Sequence, residues 1–404
     1  MAAEHAVPRL AADLSLHDLS LLVGAFVAVG TQISPVAADL MYGRVAAKAQ
    51  GAPLGSPEQR ATSASTLTTL HKGLTQLPAS SKGLPALIAL QPLVLNLATN
   101  ADAAGARLLA AVVAANAHFR VKDVKLIEKI TAYASNQFTV EASPKALEGM
   151  LSSLGVLGAC PGASMLACLD TWLLSRAASM PIKSATRCLW AVALIGFSHF
   201  SDSTTLALFS KARALLADGC CGSGATSGLK ELAPRDAAEL AAVVGAWHQH
   251  QAARGTGDDD VRRAVGTEAE ALVSCLASAP QCARLDPLPP SGLLREVFHG
   301  LSRVLESGPE TIEHAPDASQ IQSGLYVDGF SADMLVTKQG GSSLAIEVDG
   351  PRRFYHGSRE YIAVSELKHS ILLCRFDSVV HVGFWEWPTG ALEQDAFLQR
   401  LLGS

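Results

Sequence analysis

Leu189-Trp-Ala-Val-Ala-Leu-Ile-Gly-Phe197 opens with a leucine and continues as a run of small and apolar side chains. Copies of this phrase recur along the chain, at Leu22–Gly30, Leu109–Ala117, Leu151–Ala159 and Leu240–His248, with a degenerate copy at Leu70. The opening leucines are 38 to 51 residues apart, and a period of about 40 residues is the length of one helical hairpin. Because one hairpin cannot bury its own apolar face, the repeat predicts a stack of hairpins. We therefore expect a mostly α protein, with a right-handed α-solenoid over residues 1–285.

The composition excludes several classes of protein. Of the 404 residues, 49% are hydrophobic and 17% are charged, so the chain is too apolar to be disordered. No run of about 18 uninterrupted apolar residues occurs, so we expect no membrane span. The eight cysteines form no CxxC pair, and we accordingly expect no metal and no cofactor. Residues 1–13 carry a single Arg and are not typical of a transit or signal peptide.

The charge distribution favours polyanion binding in the first half of the chain. The net charge is −5, from 32 basic and 37 acidic side chains, which excludes a polybasic, histone-like protein. Residues 1–200 nevertheless have 15 basic and 11 acidic side chains, a balance of +4, whereas residues 201–404 have a balance of −9. Any contact with a phosphate backbone is therefore expected in the first half.

Basic residues also recur at fixed positions in the repeat. Lys145 and Lys183 lie six residues before their opening leucines, and Arg107 and Arg187 lie two residues before theirs. These two positions are four residues apart and share one helical face. A second basic group surrounds the start of the next helix, at Arg120, Lys122, Lys125 and Lys129. We predict that these residues bind RNA phosphates; the alternative is that they form an ordinary solvated helix face.

After Pro287-Leu-Pro-Pro290 the pattern changes from helical to mixed. We expect a second domain over residues 291–404. Its predicted elements, in the order α-β-β-α-β-α, are a helix at Ser291–Ser307, strands at Phe330–Thr337 and Ser343–Asp349 joined at Gln339–Gly341, a helix at Ser365–Arg375, a strand at Val379–Phe384 and a helix at Gln394–Leu402.

This C-terminal region resembles the RAP domain. The similarity rests on Leu344-Ala-Ile-Glu-Val-Asp-Gly-Pro351, Phe354, Lys368 and Phe384-Trp-Glu-Trp387, and it extends over residues 291–402. The preceding repeats resemble the octotricopeptide and FAST-kinase-like helical repeats of proteins that carry this domain, most clearly at Leu232–Trp247.

The resemblance implies a small α/β domain with a restriction-endonuclease-like fold. It also implies an organellar RNA-binding protein, in the mitochondrion or alternatively the plastid. The expected partners are rRNA or organellar mRNA, and ribosomal or other ribonucleoprotein subunits. Whether the protein is a free regulatory factor or a stable subunit of a ribosome stays open, as does a solenoid that binds only protein. We count Arg352 and Arg353, which follow the core motif, among the candidate RNA-binding residues.

The same resemblance raises the alternative of a metal-dependent endoribonuclease. Nucleases of this fold hold a divalent ion between two carboxylates, with a lysine beside the attacking water. The matching acids are Asp333 and Glu347, with Asp349 in the place of the lysine and Lys368 as the nearby cation. Arg353 replaces the histidine usual in the family. We therefore expect no catalytic residue and no enzymatic activity, with these acids holding loops or pairing with Arg352, Arg353 or Lys368.

Overall fold

The computed structural model describes residues 14–29, 34–51, 64–76, 82–99, 106–141, 144–220, 233–254, 260–277, 291–306, 321–337 and 341–403. The chain divides into two compact units, Met1–Trp172 and Leu173–Ser404. These units are not the two domains predicted from the sequence, residues 1–285 and 291–404, and that domain division stays a prediction. The second unit contains the later helices together with the whole described part of the C-terminal module.

In the described residues of unit 1 the regular secondary structure is entirely helical. Its helices are α1 (Leu16–Val29), α2 (Pro35–Gly51), α3 (Ala64–Gln76), α4 (Gly83–Thr99), α5 (Ala106–Phe119), α6 (Val124–Glu141), α7 (Pro144–Val156) and α8 (Ala163–Arg176), the last of which ends in unit 2. Alternate helices pack against one another: α1 on α3, α3 on α5 and α5 on α7 form one row, and α2 on α4 and α4 on α6 form a second. Two rows of alternate helices are what stacked helical hairpins produce.

Unit 2 begins with helices of the same kind. They are α9 (Ile182–Ile195), α10 (Asp202–Cys220), α11 (Pro234–Arg254) and α12 (Asp260–Ala277), with 3-10 turns at Ala177–Ser179 and Phe197–His199. Again alternate helices pack together, α9 on α11 and α10 on α12. His248 and His250 lie within α11, and the His250 ring packs beside Trp247.

The repeated leucines occupy equivalent positions in the fold. Each opening leucine falls on an odd-numbered helix between α1 and α11, and the fully or almost fully buried ones are Leu70, Leu109, Leu151, Leu189 and Leu240. The small residues that follow each leucine allow the neighbouring helix to approach closely. The structure agrees with helical repeats followed by a small α/β module, while the right-handed form of the solenoid stays a prediction.

Side-chain caps define several helix starts. Ser15 and Asp18 form a capping box at α1, in which the Asp18 N–H donates to Ser15 Oγ (3.2 Å) and the Ser15 N–H donates to Asp18 Oδ2 (3.1 Å). Other described N-caps are Ser34, Asp123, Ser201 and Ser291. Such caps satisfy N–H groups that have no partner within the helix.

The C-terminal module contains a sheet between helices. Its elements are α13 (Gly292–Glu306), β1 (Ile321–Val327), β2 (Phe330–Thr337), β3 (Ser343–Asp349), a 3-10 turn at Pro351–Arg353, α14 (Ala363–Arg375), β4 (Ser378–Gly383) and α15 (Ala391–Gly403). The described strands form a sheet of order β1-β2-β3-β4, in which β1, β2 and β3 are antiparallel and β4 is parallel to β3. The predicted elements are confirmed within a few residues, but the prediction omitted β1. Gln322, Ser323 and Gly324 are all exposed in this edge strand, so it lacks the alternation that marks a strand.

One face of the sheet carries the apolar core of the module. Met334, Val336, Leu344, Ile346 and Val348 pack there against buried side chains of α13 and α15. Because side chains alternate along a strand, the residues between them face α14 on the other side.

The β1–β2 turn and α14 attach the module to the helices of unit 2. Helix α14 packs on α11 and α9. Gly329, at φ +84°, lies so close to α11 that a Cβ there would be 2.2 Å from the Ala238 carbonyl oxygen. Nearby, Arg375 Nε donates to Asp328 Oδ2 at 2.6 Å. Only glycine tolerates both this backbone conformation and this separation.

Candidate functional site

The acids matched to a nuclease centre connect two strands instead of facing solvent. The backbone pairing of β2 with β3 runs from Thr337↔Ser343 to Met334↔Ile346. Beyond it, the Asp333 N–H donates to Glu347 Oε1 at 3.0 Å, and the Val348 N–H donates to Asp333 Oδ2 at 2.9 Å. Each carboxylate thus accepts a backbone N–H from the opposite strand and continues the ladder through side chains.

Glu347 also forms a buried ion pair with Lys368 of α14. The Lys368 ammonium contacts the Glu347 carboxylate, and their side chains are 3% and 0% exposed. Burial raises the pKa of the Glu347 carboxyl, and the neighbouring Lys368 ammonium opposes that rise. Asp333, Glu347 and Lys368 therefore come together as the nuclease resemblance implied, but Lys368 is held by a carboxylate inside the protein.

Asp349, at the end of β3, belongs to a different cluster. Its Oδ2 accepts a hydrogen bond from the Tyr361 hydroxyl at 2.9 Å and lies 3.0 Å from His381 Nδ1. Its Oδ1 lies 3.8 Å from His369 Nε2. The Asp349 side chain is fully buried, and the rings of His369 and His381 are 3.8 Å apart between centroids.

The protonation of this cluster follows from its surroundings. Burial alone would raise the pKa of the Asp349 carboxyl, but His369, His381 and the Tyr361 hydroxyl outweigh it and hold that pKa well below its usual range. Burial lowers the pKa of His369, and the facing Asp349 carboxylate opposes this. Burial and the same carboxylate raise the pKa of Tyr361. At neutral pH Asp349 is therefore an anion beside a neutral His369 and a protonated phenol.

Sequence reasoning missed both histidines. His369 lies in α14 and His381 in β4, at positions 20 and 32 residues beyond Asp349 with no motif linking them. The alternation of β4 was the available signal, since it placed a histidine on the face opposite the apolar core.

The basic residues predicted from the repeat lie at the starts of alternate helices. Arg107 is the second residue of α5, Lys145 of α7 and Lys183 of α9, and all three side chains are exposed. Arg187 follows Lys183 one turn further along α9 and is also exposed. Within unit 1, α5 and α7 pack together and begin at the same end of the row, because α6 returns the chain between them.

Arg235 extends this pattern, although the spacing of the repeat in the sequence did not identify it. It is the second residue of α11, which packs on α9 within unit 2. Its side chain is 83% exposed and donates to Glu239 Oε1 at 2.9 Å. Counting from the opening leucines obscured the pattern, because Arg107 lies two residues before its leucine and Arg235 lies five before Leu240. Counted from the first residue of each helix, Arg107 and Arg235 occupy the same position.

The second predicted basic group lies at the other end of the hairpins. Arg120 ends α5 in the left-handed conformation (φ 54°), and Lys122 precedes α6. Only Lys125 and Lys129 lie on α6, both exposed. The structure therefore separates this group from Arg107 and Lys145.

The two arginines of the module lie in the 3-10 turn that follows β3. Arg352 is exposed, whereas Arg353 is half-buried and its carbonyl accepts the Ile362 N–H at 2.9 Å. They are part of unit 2, on the loop that leads towards Tyr361.

Comparison with protein-family models gives no match for this chain, and none of the curated proteins matches it. Within the part of the chain that the structure describes, every helix is too short or too polar to cross a membrane.

Proposed function

We propose that the chain is a non-catalytic RNA-binding protein whose helical hairpins contact the phosphate backbone. The observation that carries the proposal is the recurrence of an exposed basic side chain at the second position of four alternate helices, at Arg107, Lys145, Lys183 and Arg235. The first two lie on neighbouring helices of unit 1 and the last two on neighbouring helices of unit 2.

Helix starts suit this role for a physical reason. The first N–H groups of a helix have no internal partner, and the helix dipole adds a partial positive charge there. A Lys or Arg at the second position adds a full charge to the same region. Neighbouring helices pack about 8–10 Å apart, so each pair presents two such positions side by side to an extended polyanion.

The existing partner of Arg235 does not prevent such binding. The Glu239 side chain is 15% exposed, whereas the Arg235 side chain is 83% exposed and reaches into solvent. A phosphate can therefore compete with Glu239 for the Arg235 guanidinium. Lys145 and Lys183 act as flexible point charges, which suits a backbone contact without base recognition.

The burial of the Glu347–Lys368 pair supports the non-catalytic part of the proposal. A lysine that activates a water must reach that water, but the Lys368 side chain is 3% exposed and is held by a carboxylate. Asp333 and Glu347 already accept backbone N–H groups, so each has fewer free lone pairs for a divalent ion.

A metal-dependent nuclease is the second candidate, because Asp333, Glu347 and Lys368 do converge on one face of the sheet. Incubating pure protein with RNA and Mg²⁺ or Mn²⁺ separates the two candidates. We expect no cleavage. Cleavage by the wild type that is lost in both Asp333→Ala and Glu347→Ala would favour the nuclease, whereas cleavage that persists in both would come from a contaminant.

The cellular setting is part of the same proposal. The resemblance to the RAP domain and to organellar helical repeats supports the mitochondrion, with the plastid as the alternative. A mean hydropathy of +0.24 suits a protein that buries one surface against neighbours in a ribonucleoprotein, such as a ribosome. Co-sedimentation with ribosomal subunits at high salt distinguishes a stable subunit from a free factor. Crosslinking in cells followed by sequencing of the attached RNA identifies the target.

Filter binding over a salt series tests RNA binding itself. If the exposed basic residues neutralise phosphates, log K falls linearly with log salt, by about 0.7 for each single-strand contact. Four contacts therefore predict a slope of about −3. A flat salt dependence, or no retention of RNA at low salt, would contradict the proposal.

A further inference from the structure

We propose that Asp349, His369 and His381 form a binding site for a divalent transition-metal ion of the zinc type. One ligand atom from each residue can be chosen so that all three lie within 4.8 Å of one another. They come from three elements, the end of β3, helix α14 and strand β4. An ion bound there would cross-link the sheet to the helix that packs on α9 and α11.

Two buried atoms without a hydrogen-bond partner point to a ligand. Asp349 Oδ1 and His369 Nε2 both lack one, although Asp349 is fully buried and His369 is 9% exposed. They face one another at 3.8 Å. Leaving a buried polar group without a hydrogen bond is unfavourable, and one cation between the two atoms would satisfy both.

The spacing of the donors suits tetrahedral coordination. Zinc bonds of about 2.0–2.1 Å to nitrogen and oxygen place neighbouring donors about 3.3 Å apart. Asp349 Oδ1 lies 3.8 Å from His369 Nε2, and one donor atom from each of the three residues lies within 4.8 Å of the other two. Small side-chain rotations therefore bring three donors to one ion.

The remaining contacts resemble the support that metal ligands require. The Tyr361 hydroxyl donates to Asp349 Oδ2 at 2.9 Å, which leaves Oδ1 to bind the ion and fixes the orientation of the carboxylate. The Tyr361 ring also packs edge-on against His369 at 4.5 Å between centroids. The His381 side chain is 27% exposed and gives the ion a path from solvent.

The ligand set selects the class of ion. Two imidazoles and one carboxylate favour zinc, cobalt, nickel or iron(II) over Mg²⁺ or Ca²⁺, which prefer oxygen ligands only. The site uses neither Asp333 nor Glu347, the two acids matched to a nuclease centre, and Glu347 contacts Lys368. The inference therefore does not depend on RNA binding.

Cobalt titration of the full chain tests the site. The protein is treated with chelator, dialysed and titrated with Co²⁺ while the visible spectrum is recorded, and Zn²⁺ is then added as competitor. We expect one Co²⁺ per chain at micromolar concentration, bands of four- or five-coordinate Co²⁺ without thiolate charge transfer, and full displacement by Zn²⁺. Wild-type protein that binds no Co²⁺, or whose spectrum shows thiolate ligation, would overturn the proposal.

Substitution of the two histidines tests whether the ion binds at this site. His369→Gln and His381→Gln are expected to weaken Co²⁺ binding at least about 100-fold. His356→Gln is the matched control, since His356 is an exposed histidine of the same module. Circular dichroism establishes that each variant is folded. Equal binding by all three variants would place the ion elsewhere and reject the site.

Discussion

Lys368 reaches from α14 across to Glu347 in β3, so that the one buried ammonium of the described sheet module lies directly on a fully buried carboxylate. This pair contains two of the three groups that a nuclease would need, and each satisfies the charge of the other. It also joins α14 to the sheet face opposite the apolar core. The pair should therefore matter for stability more than for chemistry.

Removing one member of the pair is expected to destabilise unit 2 strongly. Lys368→Met leaves the Glu347 charge buried without its partner, which typically costs about 3–5 kcal/mol. The measurement is urea-induced unfolding followed by circular dichroism. The double variant Glu347→Gln/Lys368→Met removes both charges and should recover part of the loss.

The control for this prediction is an exposed ion pair in the same unit. Arg263 pairs with Asp260, with side chains 64% and 92% exposed. Arg263→Ala should change the unfolding free energy by less than about 1 kcal/mol. If Lys368→Met cost no more than Arg263→Ala, the buried pair would not be a stabilising contact.

Gly329 allows the β1–β2 turn to lie against α11. In Gly329→Ala the new Cβ would be 2.2 Å from the Ala238 carbonyl oxygen, on a backbone at φ +84°. Strain in the left-handed region costs about 1–2 kcal/mol, and the clash adds about 1–3 kcal/mol. Gly341 has φ +87° with nothing within 4 Å of an added Cβ.

Gly341→Ala thus has the same backbone strain without the clash. Thermal unfolding of the two variants measures the difference directly. The midpoint temperature is expected to be highest for the wild type, lower for Gly341→Ala and lowest for Gly329→Ala. Equal midpoints for the two variants would mean that the close approach to α11 contributes nothing.

Basic side chains at the starts of neighbouring helices should contribute to RNA binding in pairs. Arg107→Ala/Lys145→Ala, within unit 1, is expected to make the salt slope of RNA binding about 1.4 less steep, from about 0.7 per lost phosphate contact. Lys183→Ala/Arg235→Ala, within unit 2, should have an effect of similar size. Filter binding at several salt concentrations gives both slopes.

Arg44→Ala/Lys48→Ala is the matched control, because it removes the same charge from two exposed side chains of α2, which belongs to the other row. Its slope should stay close to that of the wild type. If the control variant reduced the salt slope of RNA binding as much as the test variants do, the total positive charge, and not its position at the helix starts, would determine binding.

His71 makes the stability of unit 1 depend on pH. It is fully buried in α3, its Nδ1 lies 2.8 Å from the Leu67 carbonyl oxygen, and burial lowers its pKa from 6.5 to about 4. Between those values the unfolded chain binds a proton that the folded chain does not, so stability falls as pH falls from 6.5 towards 4. The shift corresponds to about 3 kcal/mol.

His71→Leu removes this titration. The difference in unfolding free energy between wild type and variant should therefore change by about 3 kcal/mol between pH 7.5 and pH 4, measured by urea unfolding across that range. Parallel pH profiles would show that His71 is protonated equally in the folded and unfolded states.

The local sequence determined the helical repeats and most of the module. A helix buries residues at three- and four-residue spacing, and a strand buries alternate residues, so these patterns are visible in short windows such as Leu189–Phe197 and Ser343–Asp349. The opening leucines accordingly fall on alternate helices, and those from Leu70 to Leu240 are buried. Strand β1 exposes three consecutive residues, Gln322 to Gly324, which is why its sequence shows no such pattern.

Tertiary structure alone decided which side chains meet. The pairing of Glu347 with Lys368, and the cluster of Asp349 with His369 and His381, depend on how α14 lies across β3 and β4. The alignment of Arg235 with Lys183 likewise depends on where α9 and α11 begin. Short-range periodicity specifies which face of an element is apolar, but the contacts of the polar face are set by long-range packing between elements distant in sequence.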